Sequence, residues 1–428
     1  MANIHPFRAY RYSAKAGRAD DLLTQPYDKI TSPMQERYYN LSPYNFVRLE
    51  KGKEDASGSE AGDVYTRAAK TLDAWIAEGI LEQEREPAFY PYFQVFEHPE
   101  TKQTHARKGF IGLTELADYD ARIVHRHELT HSGPKLDRLQ LTRHTRAHFG
   151  QLFMLYDDPE HAIDARLDQA ATLPPLISLT DEYGVRHSLW RIRDPQVISE
   201  MQAAMATKKL LIADGHHRYE TALAYSKENP NLPGADKAMM TFINMRSPGL
   251  VVLAGHRVLG RLADFDAAAF LRRTLEAFDV ETVDSAEELE RRLRSLPATT
   301  SGVGVVMAGD PKGYLLLGRP EALAARLAVA SAAERTLDVV ILHRVLITGM
   351  LGVAEEDVRE LKADIRYIRG FQNAVEEVRS GSAQIAFLLR PVEPLKVAEV
   401  SFAGGVMPQK STDFYPKLLS GLTVYRFG

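Results

Sequence analysis

Five consecutive residues, Asp214-Gly215-His216-His217-Arg218, set a carboxylate, two imidazoles and a guanidinium around one glycine. Such a set can bind an anion and move a proton. Leu210, Leu211, Ile212 and Ala213 before it form a continuous apolar run that reads as a buried strand, and Tyr219 to Ala224 after it favour a helix. The polar group therefore falls in the first helical turn. A helix N-terminus presents unpaired N–H groups and a partial positive charge, so helix stability alone would place Asp or Glu there. His216, His217 and Arg218 oppose that dipole, and a bound anion would compensate them. Gly215, Arg218 and Tyr219 are accordingly read as phosphate-binding, and Asp214, His216 and His217 as candidates for proton transfer. A surface turn with satisfied histidines is the plain alternative.

Other stretches carry groups of the same chemistry. Between Tyr119 and Phe149 the apolar periodicity fades and five of the 14 histidines gather. Histidine serves proton transfer, metal ligation or anion contact near neutral pH. Within this His-rich loop, His127-Glu128-Leu129-Thr130-His131 has the HExxH pattern of zinc metalloproteases, but that pattern needs a helix, and Ser132-Gly133-Pro134 would end one at once. No third ligand is evident, so no metal site is expected. His127 and Glu128 stay as acid/base candidates, and a metal-dependent hydrolase using His127, Glu128 and His131 is a minor alternative. Near the carboxyl end, Gly404 and Lys410-Ser411 have Walker A spacing, yet Gln409 replaces the second glycine, and Pro408 and Pro416 fit a phosphate loop poorly. A P-loop is rejected. Lys410, Ser411 and Thr412 beside glycine-rich backbone still suit phosphate or carboxylate, although a tail packed on a domain would read the same way. Tyr27 and Asp28, in a proline-marked turn, and Arg257, on a strand, complete the binding candidates.

The elements that must position these residues read as an α+β fold with a mixed, largely antiparallel sheet core and a second α/β module. Residues 1–262 form the expected main domain, with a polar loop at 51–62 and the His-rich loop at 119–149; residues 263–400 form the second module, and 401–428 return to the site. The first 50 residues are punctuated by Pro26-Tyr27-Asp28 and Pro43-Tyr44-Asn45 and read as turns. Val64 to Ile80 keeps an apolar face at helical spacing. Residues 88–96 and 107–116 have strand period, and 176–192 reads as a hairpin about Asp181-Glu182-Tyr183-Gly184. A helix over 195–207 leads to the strand at 210. The second module opens with a capped helix at Asp264 to Asp266, and its long apolar helical stretch, Leu337 to Gly352, carries a structural His343.

Composition bounds the partners. Hydrophobic residues at 45%, charged residues at 26% and a net charge of -4 over 428 residues describe an ordinary globular chain with no whole-molecule field for nucleic acid or anionic membrane. Anion recognition must be local. The absence of cysteine removes disulfides, thiol nucleophiles and thiolate metal sites. Met1 to Tyr12 lacks the apolar core of a signal peptide and no stretch approaches 18 apolar residues, so a cytoplasmic location is expected.

The stretches HPFRAYRY, QPYDKI, SPYNFVRL, HELT with KLDRLQL, ADGHHRYETAL, HRV at Arg257 and MPQKSTDFYPKLLSGL together resemble the domain-of-unknown-function family 1015 along nearly the whole chain. Gln25 stands where that family usually has a proline, and Ala254-Gly255 where it has Pro-Thr. More distantly, Asp214 to Arg218 is similar to the short phosphate-facing motif of the ParB/sulfiredoxin superfamily, which includes nucleotide-binding partition proteins, sulfiredoxin and free-serine kinases. The resemblance implies a ParB/sulfiredoxin-like strand-turn-helix site, and the family's tendency to accompany serine-biosynthesis enzymes hints at substrate. The expectation is phosphoryl transfer or phosphate-ester hydrolysis on a small metabolite, serine or phosphoserine first, with magnesium only alongside a nucleotide. A non-catalytic nucleotide- or phosphometabolite-binding regulator is the alternative. The partner is then a phosphorylated metabolite or nucleotide, with no membrane and no nucleic acid.

Overall fold

The computed structural model describes residues 2–54, 63–128, 132–359 and 362–428. Most of the polar loop expected at 51–62, and Leu129 to His131 of the HExxH pattern, lie outside the described residues. The chain forms two compact units, residues 1–126, 130–251 and 416–428 in the first and 127–129 with 252–415 in the second. Both are mixed α and β with mostly antiparallel sheets. No described helix is long and apolar enough to cross a membrane.

The first unit is built on a nine-stranded sheet. Its order runs Val124–His125, Leu210–Asp214, Leu152–Tyr156, Lys237–Asn244, Thr104–Glu115, Tyr90–Glu97, Arg186–Leu189 and Ile177–Thr180, with Ile4–His5 joined to Thr104–Glu115. The pairs expected from alternating apolar residues form antiparallel ladders, Tyr90 opposite Ile111 and Arg186 opposite Thr180. Two pairings are parallel, Leu210–Asp214 on Val124–His125 and Lys237–Asn244 on Leu152–Tyr156. Parallel pairing buries both faces. Accordingly Leu210, Leu211 and Ile212 are fully buried, and Ile212 packs among Met154, Met240 and Phe242.

Three local outcomes differ from the sequence reading. Ser132-Gly133-Pro134 opens a helix, Ser132–Thr145, within the expected His-rich loop. Proline in a first turn forfeits no intrahelical hydrogen bond, so it starts this helix as readily as it would end another. Ser32–Leu41 is also helical within the turn-rich amino-terminal segment, with the Thr31 hydroxyl accepting from Met34 N at 3.4 Å and Pro33 in the first turn. The strand expected to carry Arg257 is Gly255–Leu259, separated from the short strand Val251–Leu253 before it.

The second unit holds a six-stranded sheet ordered Phe278–Val283, Gly313–Gly318, Gly302–Met307, Ile385–Leu388, Gly255–Leu259 and Ile365–Arg369, every pairing antiparallel. Ser285 caps Ala286–Ser295 through Glu288 N, and Leu289 and Leu293 from that helix are buried against the sheet. The apolar stretch expected as one long helix starts as α-helix, Asp338–Ile341, and continues as π-helix, Leu342–Met350, ending with Leu351 N bonded to Leu346 O at 2.9 Å.

Candidate functional site

Leu210–Asp214 delivers the chain into Gly215, whose φ of 99° is left-handed and which caps the helix His216–Glu228 without any side-chain cap. No acidic residue lies in the first turn. The partial positive charge of the helix N-terminus is thus met by no carboxylate of the helix's own first turn. Gly215 is required twice over. A Cβ there would stand 3.0 Å from Leu152 Cδ2 and 3.1 Å from Arg218 Nε, and an L-residue at that φ is strained. Gly215→Ala is therefore expected to cost about 1–3 kcal/mol in urea unfolding and to displace the Arg218 guanidinium, weakening phosphate binding in parallel. Unchanged stability and unchanged phosphate affinity would refute this account of the turn.

Arg218 is the centre of the charge arrangement. Its side chain, 13% exposed, donates from Nη2 to Asp214 Oδ2 at 3.2 Å and from Nη1 to the Gln151 carbonyl. Burial alone would lower its pKa, but Asp214, Asp28, Tyr27 and Glu50 overcome that and raise it. Burial would likewise raise the pKa of Asp214; instead Lys417, Arg218, His216 and Lys29 hold it far below the usual carboxylate range. Arg138 lies 4.2 Å from the centre of the Tyr27 ring and donates to the Glu50 carbonyl at 2.8 Å. Arg107, fully buried, is fixed by Gln94 Oε1 at 3.0 Å from Nε and by the Pro416 carbonyl, with Phe153 under its guanidinium at 4.7 Å. Burial pulls its pKa down to about 9, while Tyr92 and Asp214 push it up. Lys29, Arg107, Arg138, Arg218 and Lys417 thus act on Asp28, Glu50 and Asp214, with Arg138 also paired to Asp137 at 2.7 Å. Positive charge is concentrated there beside the partial positive charge of a helix N-terminus.

Several of these groups had no local signal in the sequence. Lys29, Glu50, Arg107, Arg138 and Lys417 come from five separate segments, a turn, two helices, a strand and the chain after Tyr415, and tertiary packing brings them into electrostatic reach of Asp214 or Glu50. Glu50 is 2% exposed, and its Oε2 and the Ser420 Oγ are both buried without a hydrogen bond of acceptable geometry. Glu50, Arg138, Thr142, His148 and Arg218 border a cavity of ≈ 50 Å³. A Cβ on Gly150 would lie 3.2 Å from both Arg218 Nη1 and Glu50 Oε1, so this glycine admits the two side chains to one place.

His148 in that lining gives a pH test. Burial lowers its pKa to about 4, and its Nδ1 faces the Met239 N–H at 3.5 Å, as an unprotonated ring nitrogen would. Between the ordinary histidine value near 6.5 and about 4, the unfolded chain takes up a proton that the folded chain refuses, so stability falls as pH drops through that window. The contribution is about 3 kcal/mol in all. Replacing His148 by Gln should flatten the difference between stabilities at pH 7 and pH 4 by that amount, read from urea midpoints. An unaltered slope would place the titration elsewhere.

Other sequence candidates fall differently. His216 is buried and His217 half-buried on the same turn, while Asp28 is exposed. Tyr219 is fully buried in the core, and its hydroxyl donates to Ala117 O at 2.7 Å and accepts from Ala117 N at 3.1 Å. It packs the helix onto the sheet and presents nothing to a ligand. Within the second unit, His127 Nε2 meets Thr412 Oγ1 at 2.8 Å, Ser411 N donates to Glu128 Oε1 at 3.3 Å and Met407 N donates to His127 O at 2.8 Å. These residues form a second polar cluster, with Lys410 exposed at a left-handed φ of 56°. His127 and Glu128 sit in a bend, not in a helix. No group of three or more His, Cys, Asp or Glu able to hold a metal occurs among the described residues. Arg257 is corrected from ligand contact to support: it is fully buried, bonded from Nε to His343 Nε2 at 3.1 Å and from Nη2 to Gln409 O at 3.0 Å, with its pKa lowered to about 10 by burial. Gly255 helps, since a Cβ there would lie 2.8 Å from Lys410 O.

The chain belongs to the family described as Protein of unknown function (DUF1015), which matches residues 4–340. No curated protein matches it. Among solved structures, a free serine kinase in complex with AMP aligns with a TM-score of 0.36 at 14% identity, over 70% of this chain and 88% of that one. SbnI with a C-terminal truncation from Staphylococcus aureus aligns with a TM-score of 0.36 at 10% identity, over 73% and 86%. A conserved hypothetical protein from Pyrococcus furiosus aligns with a TM-score of 0.32 at 13% identity, over 69% and 90%. Likenesses this faint carry no argument, and the site is argued from its own residues.

Proposed function

We propose that this member of the DUF1015 family moves a phosphoryl group on a small hydroxyl-bearing metabolite. The observation that carries the reading is the convergence of Lys29, Arg138, Arg218 and Lys417 on Glu50 and Asp214, at a helix N-terminus whose first turn holds no acidic residue. A phosphate monoester carries a charge of about -1.5 to -2 at pH 7 and would match those cations. Arg218, Lys417 and the N–H groups after Gly215 hold the phosphoryl oxygens, where charge develops during transfer. Asp214, kept ionised by its four positive neighbours, orients them. The hydroxyl oxygen attacks phosphorus, the bond to the leaving oxygen breaks, and the hydroxyl proton passes to a carboxylate, for which Glu50 has the better affinity because burial raises its pKa. With water as nucleophile the same groups hydrolyse the ester.

Serine and phosphoserine are the first candidates on the family resemblance, and the motif's similarity to the ParB/sulfiredoxin superfamily supports the phosphate assignment. Were a nucleotide the donor, exposed Asp28 would be the carboxylate to hold a magnesium ion alongside the phosphates, and the ion would supply charge neutralisation there. We also assign His127 and Glu128, with Lys410, Ser411 and Thr412, to anion handling. The decisive experiment incubates the protein with phosphoserine, and separately with serine, ATP or ADP and magnesium, and follows phosphate in wild type, Arg218→Ala and Glu128→Gln. Transfer that depends on Arg218 supports the reading. No transfer in either direction removes serine as the substrate; if a panel of phosphate esters is inert too while phosphate still raises the melting temperature, the site is a phosphometabolite sensor.

A further inference from the structure

The nine-residue π-helix Leu342–Met350 is longer than the single-turn π-bulges usual in proteins, which cluster at functional sites. Together with the α-turn before it, it presents Val340, His343, Arg344 and Thr348 to a cavity of ≈ 130 Å³. A void of about 150 Å³ accepts a benzene-sized body. The chemistry of the lining is divided. Arg344 keeps only a long contact to Glu334, 3.5 Å from Nη2 to Oε1, and its Nη1 is buried without a hydrogen-bond partner among the described residues. Glu355, also in the lining, is exposed and forms no ion pair among the described residues. Val358 and Met407 supply apolar wall. His343 adds no charge: its Nε2 accepts from Arg257, which leaves the ring proton on Nδ1, and burial with Arg257 beside it keeps the ring neutral.

We infer that this cavity binds a small apolar α-amino acid, with Arg344 taking its carboxylate, Glu355 its ammonium group, and Val340, Val358 and Met407 its side chain. A guanidinium pairs a carboxylate through two parallel N–H donors, and Arg344, half-buried in the lining, is held on its Nη2 side only by the 3.5 Å contact to Glu334. Apolar wall with a few convergent polar groups is the usual composition of a small-molecule site. The inference is independent of phosphoryl transfer. It does have a consequence within the same unit, because Met407 and Gln409, which border the cavity, lie in the segment that bonds His127 and Arg257.

Calorimetric titration of the full chain with valine, leucine and methionine, beside isobutylamine and isovalerate, tests it. Each of the last two keeps the apolar body and one charged end. At least one amino acid should bind saturably and about 10-fold or more tighter than either single-ended analogue. Arg344→Met and, separately, the cavity-filling Thr348→Phe should each weaken that binding by about 10-fold or more. The second variant keeps the test sound should the first destabilise the fold. Absence of saturable heat up to ~10 mM, binding of isovalerate equal to that of the amino acid, or binding indifferent to Thr348→Phe would each overturn the assignment.

Discussion

Arg218→Ala is expected to lower the rate of phosphoryl transfer by about 10³-fold, the range found when a group that stabilises developing charge is removed. The side chain reaches Asp214 and the Gln151 carbonyl and sits among Asp28, Tyr27 and Glu50, so no neighbouring cation can take its place without moving. Lys417 and Lys29 remain, which is why the loss should fall short of complete. Arg218→Lys separates charge from geometry. It keeps one positive charge but loses the planar fork, and should recover only part of the rate. The same substitution to alanine removes a partner from Asp214 and exposes the Gln151 carbonyl to an unfilled space, for a stability cost of about 1–3 kcal/mol. Because 27% of the Asp214 side chain is exposed and three other positive groups still face it, this cost stays below that of a fully buried broken pair. Full activity in a folded Arg218→Ala protein would end the phosphate assignment.

The strand, turn and helix of the central segment were legible because that segment is locally consistent. A four-residue apolar run, a glycine that must adopt positive φ and a helix-forming stretch all demanded strand, turn and helix, and the structure has Leu210–Asp214, Gly215 and His216–Glu228. The amphipathic helix Val64–Ala77 and the hairpin through Asp181 were legible for the same reason. Ser132–Thr145 was not, since its leucines at 136, 139 and 141 keep no regular face and its prolyl start also reads as a stop. Tyr219 shows how little adjacency to Arg218 in sequence decides: a step of about 100° around the helix turns one side chain to the core and the other to the charges. The π-helix has no local signature, because Leu342 to Met350 satisfies helical spacing of either width. Arg107 and Lys417 are the clearest instance of what tertiary structure adds. They stand far apart in the chain, yet Arg107 bonds the Pro416 carbonyl and Gln94 bonds that of Lys417 at 2.8 Å, which fixes Lys417 beside Asp214.

Glu50→Gln should reduce transfer by about 10²-fold or more, the usual contribution of a positioned acid or base, while making the protein more stable at pH 7. The two effects have one cause. Burial raises the pKa of Glu50, and Arg138, Arg218, the Tyr27 backbone and Ser420 only partly offset it. A carboxyl whose folded pKa lies above its unfolded value favours the folded state while protonated, and loses that contribution as pH rises through the folded pKa. At neutral pH the ionised group is therefore a burden on the fold, and glutamine, equal in shape and without charge, removes it. Arg138 and Arg218 keep Asp137 and Asp214 as partners, so the substitution strands neither guanidinium. The stability advantage over wild type should shrink as pH falls below the ordinary glutamate range, where both side chains are neutral, and it should be absent from Glu50→Asp. Urea midpoints of the three proteins across pH 4–8, read beside their transfer rates, check both halves of the prediction. A variant that is inactive and also less stable at every pH would make Glu50 a structural anchor for Arg138 and Arg218; one that is fully active would move the proton acceptor elsewhere, with Asp214 next in reach of the same cations.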